Sequence, residues 1–282
     1  MRAGWMWIFS SLIGCSEYEF SAEKDSELGV DEDVEPPDDE TGVDDTAEPS
    51  DTGDDQDTDP NNETEPPPAE APVYAHDPNT LFEVKPGSGE RVPLGEFSID
   101  GQPVGDSFID IAIDLDGNMF GATFLALYQI NPTNAVAKKL CDVDLDMVAM
   151  TFSSDGELFV GGSDGIQIVN VVNCRATPLA VGGGYQTSGD LVGLPDGYLY
   201  WTVRGNSRDE LVRVDPLSGQ TTWIGSIGFS QIFGLGYDDG VLYGFNSYGE
   251  TISIDPRTAA ASSLVSDGDI SWYGATTNPV QW

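Results

Sequence analysis

The residues in this chain with the most chemistry to offer are carboxylates. Asp106, Asp110, Asp142, Asp144, Asp146, Asp190 and Asp269 stand in or just after polar loops that run into short hydrophobic stretches, and Tyr185, Gln231 and Trp272 occupy comparable places. If those loops converge, the carboxylates form an acidic concavity suited to Ca2+ or a cationic ligand, with Asp110, Asp146 and Asp190 as candidate ligands of one ion. The alternative is that they are turn formers and solvated rim charges. Asp142-Val143-Asp144-Leu145-Asp146 has the alternating carboxylates of a calcium loop but lacks the glycine and distal glutamate such loops use. His76 is the one histidine of the chain, so Ser-His-Asp or Cys-His catalysis and His-ligated metal sites lack raw material. Its place near the start of the folded region reads as a surface position on an edge strand. No catalytic residue and no organic cofactor are assigned; Ca2+ is the one ion considered.

Cys15 has a different context. Arg2 and the free amine precede an apolar run from Ala3 to Gly14 that contains Trp5, Trp7, Ile8, Leu12 and Ile13. This is the pattern of a secretory signal, and it is too short to cross a hydrocarbon core that needs about 20 helical residues. Leu12-Ile13-Gly14-Cys15 resembles the lipobox of bacterial lipoproteins. That resemblance implies that residues 1–14 are removed and that Cys15 carries the acyl chains that hold the protein to a membrane. Several chains at about 0.8 kcal/mol per buried CH2 make such anchoring stable. Ser16 after the cysteine, where many inner-membrane lipoproteins have Asp, implies the outer membrane.

Residues 15–72 change composition completely, with 23 Asp or Glu between Glu17 and Glu70 against one Lys. Such a segment cannot bury enough apolar surface to offset chain entropy, so it reads as a disordered, self-repelling tether. The whole chain carries a formal charge of −38. That excludes nucleic acid as a ligand and leaves the lipid, rather than surface charge, to hold the membrane.

Residues 73–282 contain an internal repeat, and it supplies the elements that must position the carboxylates. A hydrophobic stretch, an Asp-Gly turn, a second stretch rich in Leu, Phe, Tyr and Gly, and a third running into Asp-Pro or Asn-Pro recur. Ile111–Gly121, Met150–Val160, Leu191–Tyr200 and Leu235–Gly244 carry the first two parts. The turn glycines 117, 156, 197 and 240 are 39, 41 and 43 residues apart, the length of a four-stranded propeller blade. Asp-Gly supplies the positive φ that tight hairpins need. Val73–Ala75, Leu81–Pro86 and Arg91–Gly95 read as strands two to four of a blade whose first strand comes from Trp272–Thr276, giving four complete blades and one composite. The expected fold is therefore an all-β propeller of five four-stranded blades, folding as a monomeric domain. The repeats are similar to those of bacterial NHL, YVTN and WD40-like propellers, a group that includes both binding proteins and enzymes.

First strands of blades line a central channel, so the loops leading into them form one rim. Those loops are 98–107, 141–146, 182–189, 228–231 and 267–271, and they carry the aspartates named above. Cys141 and Cys174 fall on neighbouring blades but at different heights in this alignment, leaving a disulfide and two thiols both open. Two functions follow: a lipid-anchored module that binds a protein, peptide or glycan at the cell envelope, or a hydrolase or lyase using a metal held by rim carboxylates. A structural envelope scaffold is the third.

Overall fold

A computed structural model describes residues 72–143 and 146–279. Cys15, the residues 1–71 that hold the signal and nearly all of the acidic segment, and Asp144 lie outside the described residues. The described chain is all-β and forms a five-bladed propeller. Blade 1 is composite, in the order Gly274–Thr277, Val73–His76, Thr80–Lys85, Glu90–Glu96 from the channel outward. Blade 2 comprises Asp110–Ile113, Met119–Ala122, Ala126–Ile130 and Ala137–Asp142; blade 3 comprises Ala149–Phe152, Leu158–Gly162, Gly165–Asn170 and Arg175–Leu179. Blade 4 runs through Thr187–Gly193, Leu199–Arg204, Asp209–Val214 and Thr221–Ser226, and blade 5 through Ile232–Asp238, Val241–Asn246, Glu250–Ile254 and Ala261–Ser266. A small hairpin, Ser98–Ile99 with Gln102–Pro103, occupies the loop between blades 1 and 2.

Each sheet is antiparallel, with consecutive strands joined by short turns except the first pair of blade 1, whose strands come from the two ends of the domain. Gly117, Gly156, Gly197 and Gly240 take φ of 81 to 84° in the first turn of their blades, a conformation that other residues reach only with strain. The first strand of each blade packs on the first strand of the next, including blade 5 on blade 1 and blade 1 on blade 2, so the ring closes. Closure rests on the pairing of Val73 with Thr277, Tyr74 with Thr276, Ala75 with Ala275 and His76 with Gly274.

The core is divided into five slabs, one in each gap between blades. Alternation along a strand sends neighbouring residues to different slabs. Ile111, Ile113 and Met119 face the gap toward blade 1, whereas Ala112, Phe120 and Ala122 face blade 3 with Met150, Phe152 and Val160. Trp201 and Phe159 fill the gap between blades 3 and 4, and Phe245, Trp272 and Val73 the gap between blades 5 and 1. Inner strands are therefore apolar on both faces and read as continuous hydrophobic runs.

The outer gaps repeat one contact. The turn between the third and fourth strands of a blade places a positive-φ residue against the fourth strand of the preceding blade. Ala135 meets Gly95, Ala259 meets Gly225, Gly219 meets Ala180 and Gly89 meets Val265. Between blades 2 and 3 the same two positions are Cys174 and Cys141, with Cα atoms 6.4 Å apart and joined as a disulfide. The expected difference in height does not hold. Strands rotate by roughly 20 to 25° each across a sheet, so a fourth strand lies steeply inclined to the first and its end reaches the neighbouring blade's turn. Replacing both cysteines by serine should lower the unfolding free energy by about 2–4 kcal/mol in urea titration, the range for a closed loop of this length.

Candidate functional site

Equivalent positions of the five inner strands lie at one level of the channel. Counting back from the turn glycines gives Asp110 in blade 2, Ala149 in blade 3, Asp190 in blade 4 and Gly234 in blade 5, with Gly274 opening the inner strand of blade 1. Two of the five carry carboxylates and three carry a methyl group or nothing. Both carboxylates are fully buried.

Each aspartate binds two backbone amides, its own strand's and the next blade's. Asp110 accepts from Ile111 N at 2.8 Å and from Met150 N at 2.6 Å. Asp190 accepts from Leu191 N and Leu235 N, both at 2.5 Å. Hydroxyls do the same work at two other seams: Thr151 Oγ1 accepts from Gly193 N at 2.9 Å, and Thr277 Oγ1 from Tyr237 N at 2.7 Å. These side chains thus supply the acceptors that buried inner-strand amides require.

The Asp110 and Asp190 carboxyls also interact with each other across the channel. Two carboxylates this close in a dry interior cannot both ionise. Burial pushes Asp110 well above the ordinary carboxylate range, and the charge of Asp190 adds to the rise. Burial raises Asp190 as well, to about 7, against hydrogen bonds from Asp110, Leu191 and Leu235 that favour its ionised form.

The third group at this level is His76, and it corrects the sequence reading. Val73–His76 is the second strand of its sheet, flanked on both sides, and the imidazole is fully buried rather than on a surface. His76 Nδ1 donates to Asp77 O at 2.7 Å, and Nε2 has no hydrogen-bond partner. A Cβ placed on Gly274 would fall 2.4 Å from Asp110 Oδ1 and 2.5 Å from His76 Nε2. Those two atoms are therefore no farther apart than the sum of these distances, and Gly274 is what admits both. The Phe97 ring closes on the imidazole edge-on at 5.6 Å. Burial lowers the imidazole pKa to about 4, opposed by the carbonyl and charge of Asp77.

The other candidates are dispersed. Asp146 does not join Asp110 and Asp190: it is exposed, and its Oδ2 accepts from Ser163 N at 3.1 Å. Asp142 is exposed and paired with Lys139. Asp269 is exposed in the turn after blade 5. Asp106 is half-buried; Oδ1 accepts from Ser107 N at 2.9 Å and Oδ2 is buried without a partner. Trp272 is core rather than rim, packed edge-on against Phe82 and Phe245 at 5.8 and 5.5 Å. Tyr185 lines a groove with Gln186, Arg204, Asn206 and Glu210. Gln231 remains on the rim, where it bonds Tyr248 Oη at 2.6 Å and receives the Ser247 hydroxyl at 2.7 Å. His76 was legible only through the closure itself, since a strand completed from the far terminus is second of four and cannot be an edge.

No described protein family matches the chain, and no curated protein sequence matches it. Solved structures match in fold. A chain from a nidogen/laminin complex is similar with a TM-score of 0.51 at 12% identity, over 76% of this chain and all of that one. A chain from work on the emergence of a symmetrical protein gives 0.50 at 14% identity, over 75% and 95%. Virginiamycin B lyase from Staphylococcus aureus gives 0.42 at 12% identity, over 68% and 69%.

Two outcomes test this geometry. Gly274→Ala should cost about 1–3 kcal/mol in chemical denaturation, because its methyl group meets Asp110 and His76 in an already filled layer; unchanged stability would show that blades 1 and 2 do not meet there. For His76 the folded pKa of about 4 lies below the unfolded 6.5. Its contribution is therefore complete above pH 6.5 and lost as pH falls through about 4. Wild type should lose about 3 kcal/mol more than His76→Gln between pH 7 and pH 4. Parallel stability curves would mean that the ring is not held neutral.

What the level amounts to, between five inner strands of a five-bladed β-propeller, is one buried imidazole beside Asp110 and two buried carboxyls that interact across the channel.

Proposed function

We propose that this chain is an exported, lipid-anchored propeller that works as a binding module at the bacterial cell envelope. The observation that carries this reading is that three exposed aromatic side chains, Phe124, Tyr248 and Tyr273, share one face of the ring. In an up-and-down blade, the loops leading into first strands and the turns between second and third strands share one face. Phe124 and Leu125 project from such a turn in blade 2, Tyr248 from the same turn in blade 5, and Tyr273 precedes the inner strand of blade 1. Phe124 and Leu125 are 58% and 65% exposed and Tyr248 is 54% exposed. Large apolar groups held in turns contribute nothing to the slabs between blades, whereas aromatic anchors are what binding surfaces use. Gln231 and Ser247, bonded around Tyr248, add polar groups of the kind that fix orientation.

The sequence supports the rest of the reading. Leu12-Ile13-Gly14-Cys15 supplies the anchor, the acidic residues that follow supply the spacer, and a disulfide between Cys141 and Cys174 suits an oxidising compartment. The partner is a protein, peptide or glycan; the acidic character of the domain makes nucleic acid a poor one.

A photo-crosslinking residue at position 124 or 248 of the anchored chain should form adducts in living cells, and one at Leu217, in a turn between third and fourth strands, should not. Phe124→Ser with Leu125→Ser should weaken capture at position 248 about tenfold or more. Absence of adducts at 124 and 248, or equal adducts at 217, would rule out this face. In parallel, Cys15→Ser should move the chain from the membrane to the soluble fraction.

A further inference from the structure

We infer that His76, Asp110 and Asp190 bind one divalent transition-metal ion, of the zinc or manganese class, at the centre of the channel. The first observation is His76 itself. Its Nε2 is fully buried with no hydrogen-bond partner, and it faces the same point as Asp110 Oδ1. Its Nδ1 donates to the Asp77 carbonyl at 2.7 Å, which leaves the lone pair on Nε2. Metal-ligating histidines are held in that way, one ring nitrogen fixed on a backbone carbonyl and the other free to coordinate. An unpaired ring nitrogen in the interior otherwise costs free energy and gains nothing.

The second observation is the carboxyl pair. Asp110 and Asp190 are oriented by four backbone amides, from Ile111, Met150, Leu191 and Leu235, as second-shell donors orient ligating carboxylates. Two carboxylates and one neutral imidazole around a divalent cation sum to zero charge, which is what a buried ion requires, and any carboxyl proton leaves to solvent as the ion enters. Ala149, Gly234 and Gly274 leave the other three positions of the level without bulk.

Among the described residues no three His, Cys, Asp or Glu side chains already surround one point as a finished cage. An entering ion must therefore draw the three side chains together. One imidazole with two carboxylates matches Zn2+, Mn2+ or Co2+ better than Ca2+, which takes six to eight oxygens. The sequence expectation of Asp146 as the third ligand is replaced by His76, which is buried where Asp146 is exposed.

The test uses the full chain, stripped with chelator and then loaded separately with Zn2+, Co2+ and Ca2+. After gel filtration, elemental analysis should find one zinc per chain, and zinc should raise Tm saturably at concentrations where Ca2+ does not. The stoichiometry separates this site from loose cation binding by the acidic N-terminal residues. Retention and the Tm shift should both disappear in His76→Gln and in Asp190→Asn. No retained zinc in wild type, or equal retention in either variant, overturns the proposal. Should both variants fail to fold, the Co2+ spectrum of wild type decides. Intense visible bands of a four- or five-coordinate ion support the site, and the weak spectrum of hydrated Co2+ sinks it. Crosslinking at the exposed face reads a different surface, so either reading can fail alone.

Discussion

Everything in this fold depends on four residue pairs. The ladder between Val73–His76 and Gly274–Thr277 joins strands at the two ends of the domain, and each slab of core needs a blade on both sides. Without that ladder, blade 1 would have no inner strand. The slab holding Phe245 and Val73 and the slab holding Leu81 and Phe108 would then each lose part of a wall. The seam is reinforced at its periphery, where Arg91 of blade 1 forms an ion pair with Asp267 after blade 5 and holds that carboxylate below its ordinary range. Closure also creates the channel level: His76 pairs with Gly274, and only a residue without a side chain lets the imidazole and Asp110 approach each other.

The polar groups at the centre follow from the same constraint. Five inner strands packed side to side present amides to neighbouring blades as well as to their own sheet, and those amides are out of reach of water. Asp110, Thr151, Asp190 and Thr277 answer four of them across four seams. Burial of carboxylates is expensive, and the four backbone amides that Asp110 and Asp190 accept from offset part of that cost. The acidity of this protein thus has two unrelated meanings. Along residues 15–72 it is a matter of composition, 23 Asp or Glu against one Lys; at Asp110 and Asp190 it is structural, holding blade to blade.

Much of the architecture was legible because it is periodic. The spacing of Gly117, Gly156, Gly197 and Gly240 gives the blade length, and the absence of a first strand before Val73 points to the far terminus for its completion. The aspartates could be placed at the channel by the same counting, and two of the three proposed together do meet. What the sequence does not encode locally is rotation and depth. Asp110 and Asp146 both stand at the start of equivalent strands in the sequence pattern, yet Asp110 is the first residue of its strand, whereas Asp146 lies three residues before the next one and is exposed. Cys141 and Cys174 appear mismatched in height until the twist accumulated over four strands is included. His76 looked peripheral because its inner neighbour lies about 200 positions away along the chain.

That separation has a temporal side. A chain synthesised from its N-terminus delivers Val73–His76 first and Gly274–Thr277 last, so the oldest strand of the domain waits longest for its partner. Until then its hydrogen-bonding edge stays open to any other strand nearby, the state in which β-proteins misassociate. Blades 2 to 5 are each local in sequence and can form as they emerge. Assembly of this ring therefore ends where it began, with its earliest residues the last to become native.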